Sequence, residues 1–218
     1  MLIKRSFIIF LVVAAMDFFP VTLCTQGAEP IKLPPPKTEG GKPVMQALKE
    51  RKSAREFSAQ ELPMQVISDP LWAARGVNRR DTGGLTAPTA KNMQEIDVYV
   101  AKSDGLFLYD AKENALVPVL SGDIRAMTGG QPFVKEAPVN LIYVSDASKM
   151  IGMPDDAVDF YAATDTGFIS ENVYLFCASV GLSTVVRAWV NKPALAKAMK
   201  LRLDQKIILT QTVGYPKK

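Results

Sequence analysis

Across Asp155–Val180 the apolar residues Val158, Tyr161, Ala162, Phe168, Ile169, Val173, Phe176, Cys177 and Val180 keep near-helical spacing. Gly181 follows at the position where a helix favours a left-handed terminal residue. A helix of this span would run about 39 Å, the width of a small domain. Whatever fold the chain adopts must wrap around it.

Shorter patterns surround it. Pro43 opens a helix through about Lys52, and Pro63 opens another through about Gly76, with Pro70 predicting a kink or break inside it. Ile96, Val98 and Val100 alternate with Asp97 and Tyr99 as a strand. Ser103-Asp104-Gly105 turns the chain into a hairpin partner at Leu106–Tyr109. A short strand is expected near 115–119. Ser121 could cap a helix to about Thr128. Pro138–Ser145 reads as a buried strand, Leu182–Ala188 as another, 192–200 as a helix and Ile207–Val213 as a last strand. Hairpins and crossovers together imply an α+β fold, a mostly antiparallel sheet flanked by helices with one long central helix.

Composition narrows the chemistry. The chain contains no histidine and two cysteines, Cys24 and Cys177. That excludes a Ser-His or Cys-His nucleophile pair, an imidazole base and a His- or Cys-rich metal site. A chain this poor in reactive side chains either does no chemistry or borrows it from a cofactor. The net charge of +4 is dispersed, with no basic stripe to track a nucleic acid.

Residues 1–28 read as a signal peptide. Lys4 and Arg5 precede the ten apolar residues Phe7–Met16, too few for the about 20 that span a bilayer. Cleavage after Gly27 would release a soluble product into the periplasm or cell envelope. A lipid anchor at Cys24 or an uncleaved leader would instead tether it to the membrane. Residues 29–42, with Pro34-Pro35-Pro36 and Gly40-Gly41, read as an extended, mobile linker with little to bury. Residues 43–218 form the remaining domain.

Four segments of that domain resemble motifs of the FMN-dependent nitroreductase family, in the family's order. Arg51-Lys52-Ser53-Ala54-Arg55-Glu56-Phe57 resembles its opening basic motif. Guanidiniums and a hydroxyl suit a phosphate dianion, although alone this is only a basic helix end. Thr86–Gln94, containing Pro88, Thr89, Ala90 and Asn92, resembles the family's small-residue loop beside the flavin. Thr164-Asp165-Thr166-Gly167-Phe168, leading to Glu171-Asn172-Val173-Tyr174-Leu175, resembles a helix start whose backbone faces the flavin N5. Gly181-Leu182-Ser183-Thr184 resembles the turn that packs beside the flavin ring.

Near the end, Gly214-Tyr215-Pro216-Lys217 is similar to the terminal strand, with Lys217 or Lys218 as the last basic residue for the phosphate. Lys52 stands where relatives often carry arginine or histidine.

The resemblance implies a homodimer with FMN at the interface and both chains lining each site. It implies ping-pong hydride transfer from NAD(P)H or another donor to a small electron-poor acceptor, such as a nitroaromatic, quinone or activated alkene. Lys52 and Arg55 would supply positive charge near the flavin N1/O2 edge, and Arg51 would hold the phosphate. Relatives in one branch oxidise azoline rings in peptides, and those in another remove halogens. No insertion here suggests a peptide-handling module. The alternative is a non-catalytic envelope protein holding a flavin or another planar ligand. Trp72, Trp189 and Tyr161 are expected in the core, and Phe133 in a loop able to cover the substrate face.

Overall fold

The computed structural model describes residues 29–217. The leader expected at 1–28 lies outside them, as does Lys218. Within them the long pattern is a single helix, α3, here designated in chain order after α1 (Val44–Glu50) and α2 (Met64–Arg75), and spanning Asp155–Val180. Gly181 closes it at φ 79°, its N–H donating to Cys177 O. The fourth helix, α4, is Lys192–Met199. Prolines 43, 63 and 154 occupy the cap positions of the first three helices, where a fixed φ pre-sets the entry.

The strands are β1 (Ile31–Lys32), β2 (Val77–Arg79), β3 (Gly84–Leu85), β4 (Ile96–Lys102), β5 (Gly105–Asp110), β6 (Ala115–Ser121), β7 (Val139–Asp146), β8 (Ser183–Arg187) and β9 (Gln205–Gly214). Seven form one sheet in the order β1-β6-β5-β4-β7-β9-β8, every pairing antiparallel. β2 and β3 form a separate hairpin.

Helices cover both sheet faces. On one, Ile67 and Leu71 of α2 and Ile169, Val173 and Cys177 of α3 pack on Ile96, Val98, Val100, Leu141 and Tyr143. On the other, Leu195 and Met199 of α4 pack on Tyr99, Ala101, Ile142 and Val144. This explains why β7 is buried along its whole length and carries the apolar run Leu141–Val144 on both faces. Tyr99, which alternates with the first set, faces the second core.

Several local expectations change. Pro70 does not end α2, which is one continuous helix through it. Pro70 and Leu71 are buried, and packing of α2 against α3 outweighs the one helical hydrogen bond that proline removes. The helix expected from Ser121 is only a 3-10 turn at Arg125–Thr128, because Ser121 ends β6 instead.

The Pro-rich segment is extended but anchored. Ile31 and Lys32 pair with β6, and Leu33 is buried. Pro34 O accepts from Ser68 Oγ at 2.6 Å and Asn114 Nδ2 at 2.9 Å.

Candidate active site

The basic motif leaves α1 at its C-terminal cap and runs extended beside β8. Ala54 N–H donates to Thr184 O at 2.9 Å, and Ser58 N–H donates to Tyr215 O at 2.9 Å. Phe57 bridges to Pro216. The fold thus brings the first motif, the Gly181–Thr184 turn and the terminal segment together.

They frame two neighbouring hollows. One, of about 230 Å³, is lined by Lys52, Ala54, Tyr174, Leu182, Ser183 and Thr184 among others. The second, of about 300 Å³, is lined by Arg55, Phe57, Phe133 and Lys217 among others. Phe133 therefore does reach this region, stacked on Phe57 with ring centroids 5.4 Å apart.

Tyr174, at the end of the third motif, lines the first hollow in a role the sequence did not assign to it. Its hydroxyl accepts from Val186 N–H at 2.9 Å and lies 2.8 Å from Ser53 Oγ. The Arg51 guanidinium sits 5.1 Å from the Tyr174 ring centroid. The nearest carboxylate to Arg51, that of Glu171, is 4.0 Å away, at the limit of an ion pair. Among the described residues Lys52, Arg55 and Lys217 have no ion-pair partner. Four cations thus lie around this surface, three of them without an ion pair, although Glu50, Glu56 and Glu136 also line the two hollows.

Thr184 is spent inside the protein. Its hydroxyl donates to Thr212 O at 2.7 Å and accepts from Gln211 Nε2 at 3.0 Å. Gln211 in turn accepts from Tyr143 Oη. This buried network fixes the β8–β9 floor, so Thr184 shapes the hollow through its backbone.

The second and third motifs meet each other. Ala90 N–H donates to Asp165 Oδ2 at 2.9 Å. Thr89 Oγ1 accepts from Gln94 N–H at 3.0 Å. Lys91, Asn92 and Gln94 all adopt left-handed φ, between 50° and 56°, which for non-glycine residues is a strained arrangement. Pro88 and Asn92 are exposed.

Residues 164–168 lie mid-helix in α3, not at a helix start, which is at Asp155. Their amides fall within the helical ladder. Asp165 and Thr166 are buried, whereas Gly167 is exposed with open space beside it. Asp165 and Tyr174 stand about 13 Å apart along the helix, so the two groups of motifs are separated within one chain.

Two buried charges escaped the sequence reading. Arg187 donates to Thr128 O and Asn140 Oδ1 and has no carboxylate beside it. Burial pushes its guanidinium down to about 10. Glu95, wholly buried, has no donor at either oxygen. Burial and Asp165 beside it push its carboxyl up to about 7. Nor are all the large aromatics in the core: Trp189 is 70% exposed, and Trp72 lines a surface cleft.

Residues 48–215 match the sequence profile of the nitroreductase family. The chain belongs to that family. A crystal structure of a protein from Ralstonia eutropha, assigned as a nitroreductase, superposes with a TM-score of 0.84 at 43% identity, covering 88% of this chain and 92% of that one. A protein of Methanocaldococcus jannaschii with the same assignment is 28% identical over 145 residues, 62% of this chain and 73% of the relative. A Desulfovibrio desulfuricans nitroreductase crystallised with FMN shares the fold, with a TM-score of 0.59 at 19% identity over 81% and 88% of the two chains.

The nitroreductase motifs quoted from the sequence lie within the matched span, apart from Pro216 and the terminal lysines. Glu95 does too, and it had no motif to announce it.

Proposed function

We propose that this nitroreductase-family protein is an FMN-dependent oxidoreductase. In this reading it passes hydride from NAD(P)H or another donor to a small electron-poor acceptor, with release of the first product before the second substrate binds. Flavin binding is carried over from relatives such as the Desulfovibrio protein. The observation that carries it to this chain is the placement of the basic segment Arg51, Lys52, Ser53 and Arg55 beside the Gly181–Thr184 turn and Lys217, with no ion pair at Lys52, Arg55 or Lys217 among the described residues.

The donor set fits a phosphate-bearing ligand. Tyr174 Oη accepts the Val186 N–H and shares a hydrogen bond with Ser53 Oγ, which holds the serine hydroxyl beside the basic segment. Arg51 can add a bidentate, charge-assisted grip. When bound, FMN supplies the hydride chemistry that this histidine-free chain lacks. The protein's own part is to bind, orient and polarise. Lys52 and Arg55 would supply positive charge to stabilise a reduced ring.

The site is proposed to be shared across a homodimer. The half-site of Pro88, Thr89, Ala90 and Asn92 is separated along α3 from that of Arg51 and Ser53. A second chain could bring its loop to the first chain's cations. An exposed apolar surface suits such a partner: Val44, Met45 and Leu48 on α1, with Phe160 and Phe168 on α3. The leader supports a site of action in the periplasm or cell envelope.

Purified protein tests the reading. The expected product is yellow, and NADH or NADPH bleaches it. A colourless protein that ignores added FMN would overturn flavin binding. A yellow protein reduced by neither nicotinamide would overturn the nicotinamide donor and leave flavin binding intact.

A further inference from the structure

Glu95 is the last residue before β4 and follows directly on the strained loop Thr86–Gln94. Its side chain is completely buried, and neither oxygen meets a donor. The polar group facing it is another acceptor, the carboxyl of Asp165 on α3. Two ionised carboxylates cannot occupy such a contact without strong repulsion. A single proton between them turns the repulsion into a hydrogen bond.

The surrounding charges do not remove this need. Arg75 on α2 attracts Glu95, but it donates to Gln94 O at 2.7 Å, and its Nε has no partner. Arg75 also faces Asp97 on β4, together with Tyr109 and Asp110 at the end of β5. Asp97 is itself held by Lys149 at 2.6 Å. One guanidinium is therefore divided among several acceptors.

The pair is wired to the loop from both ends. Asp165 Oδ2 accepts the N–H of Ala90 at the loop's centre. Arg75 holds the carbonyl of Gln94, adjacent to Glu95. Between these ties lie the three left-handed residues Lys91, Asn92 and Gln94. Strain of this kind persists only where neighbouring contacts enforce it.

We propose that Glu95 and Asp165 share one proton, and that this shared proton is the latch holding the loop in its strained form. Glu95 donates to Asp165, and Asp165 keeps its second oxygen on Ala90. Loss of the proton to solvent leaves two facing carboxylates. They separate, the Ala90 contact is released, and the loop relaxes. Glu95 and Asp165 are positioning residues here, acting through the loop. The loop carries Asn92, so an effect on flavin binding rests on the function proposed above. The proton sharing itself does not.

The test uses full-length protein without added flavin. Hydrogen exchange of the amides in 89–94, corrected for intrinsic rates, is followed from pH 5.5 to 8.5 in wild type and Glu95→Gln. The neutral amide keeps a donor for Asp165 and cannot ionise. In wild type the loop should exchange about tenfold faster at the alkaline end, the factor that one pKa unit of coupling represents. In Glu95→Gln that rise should vanish. An equal rise in both proteins would overturn the latch.

Carboxyl carbon NMR of wild type provides a second readout that does not require the variant to fold. A Glu95 midpoint well above the ordinary range near 4.3 supports proton sharing, and a midpoint within it overturns the proposal.

Discussion

The hydroxyl of Tyr174 lies 2.8 Å from Ser53 Oγ while accepting the amide of Val186. One aromatic residue in the middle of α3 thereby ties the basic motif to β8 and holds the serine hydroxyl in place. Tyr174→Phe should weaken FMN retention about three- to tenfold, as expected for one net hydrogen bond. It should also destabilise the fold by about 1–3 kcal/mol, because the Val186 amide loses its partner. Flavin titration and urea denaturation read the two effects separately. Unchanged affinity would show that Ser53 needs no orienting partner.

Arg51→Ala should weaken FMN retention by about 1.5–3 kcal/mol, the range of a hydrogen bond to a charged group. The fold should survive, since Arg51 is half-exposed and its nearest carboxylate is 4.0 Å away. Circular dichroism and flavin content of the purified variant check both halves. Full flavin occupancy would place the phosphate elsewhere.

The apolar surface on α1 and α3 makes a separate prediction. Met45→Glu combined with Phe168→Glu should give a folded monomer that loses FMN. Both side chains are exposed in the single chain, at 73% and 45%, so the exchange removes little from the core. Sedimentation of the variant beside wild type decides it. A dimer that survives both charges would put the interface on another face.

Glu95 should leave its mark on stability as well as on the loop. Its folded carboxyl is raised from 4.5 to about 7 by burial and by Asp165. The folded state therefore holds the proton more tightly than the unfolded chain. Its stabilising contribution is present below about 4.5 and is lost as pH rises towards about 7. Glu95→Gln should match wild type more closely at pH 5 and melt above it at pH 8. Parallel Tm curves across that range would contradict the raised carboxyl.

Gly181→Ala isolates one backbone term. The glycine sits at φ 79°, and an added Cβ would meet nothing within 4 Å. The expected loss is about 1–2 kcal/mol, the left-handed penalty alone. Denaturant midpoints measure it directly.

The fold was largely legible because its strongest signals are periodic. α3 repeats its apolar residues over many turns, and β7 is apolar on both faces because helices cover both. The proline segment was harder. Its anchoring depends on Ser68 and Asn114, residues remote in sequence that happen to meet Pro34. The β2–β3 hairpin has too few residues to show alternation.

At the site, Arg51–Arg55 and Gly181–Thr184 could be recognised as motifs, and the structure brings them together. Asp165 and Thr166 were expected at a helix start and instead lie buried mid-helix, because the α3 pattern begins ten residues earlier. Glu95 was invisible. A glutamate before a strand is ordinary until tertiary packing sets another carboxyl against it.

The sheet order carries a further consequence for how this chain reaches its native state. β9 follows every other strand in the chain, yet it lies between β7 and β8. Until Gln205–Gly214 docks, β8 has no neighbour and β7 presents a bare edge. A nascent chain on the ribosome therefore cannot close its sheet early, and the decisive pairing is among the last to become available. Deleting this strand would not trim the molecule but split its interior, exposing two unpaired ladders to aggregation.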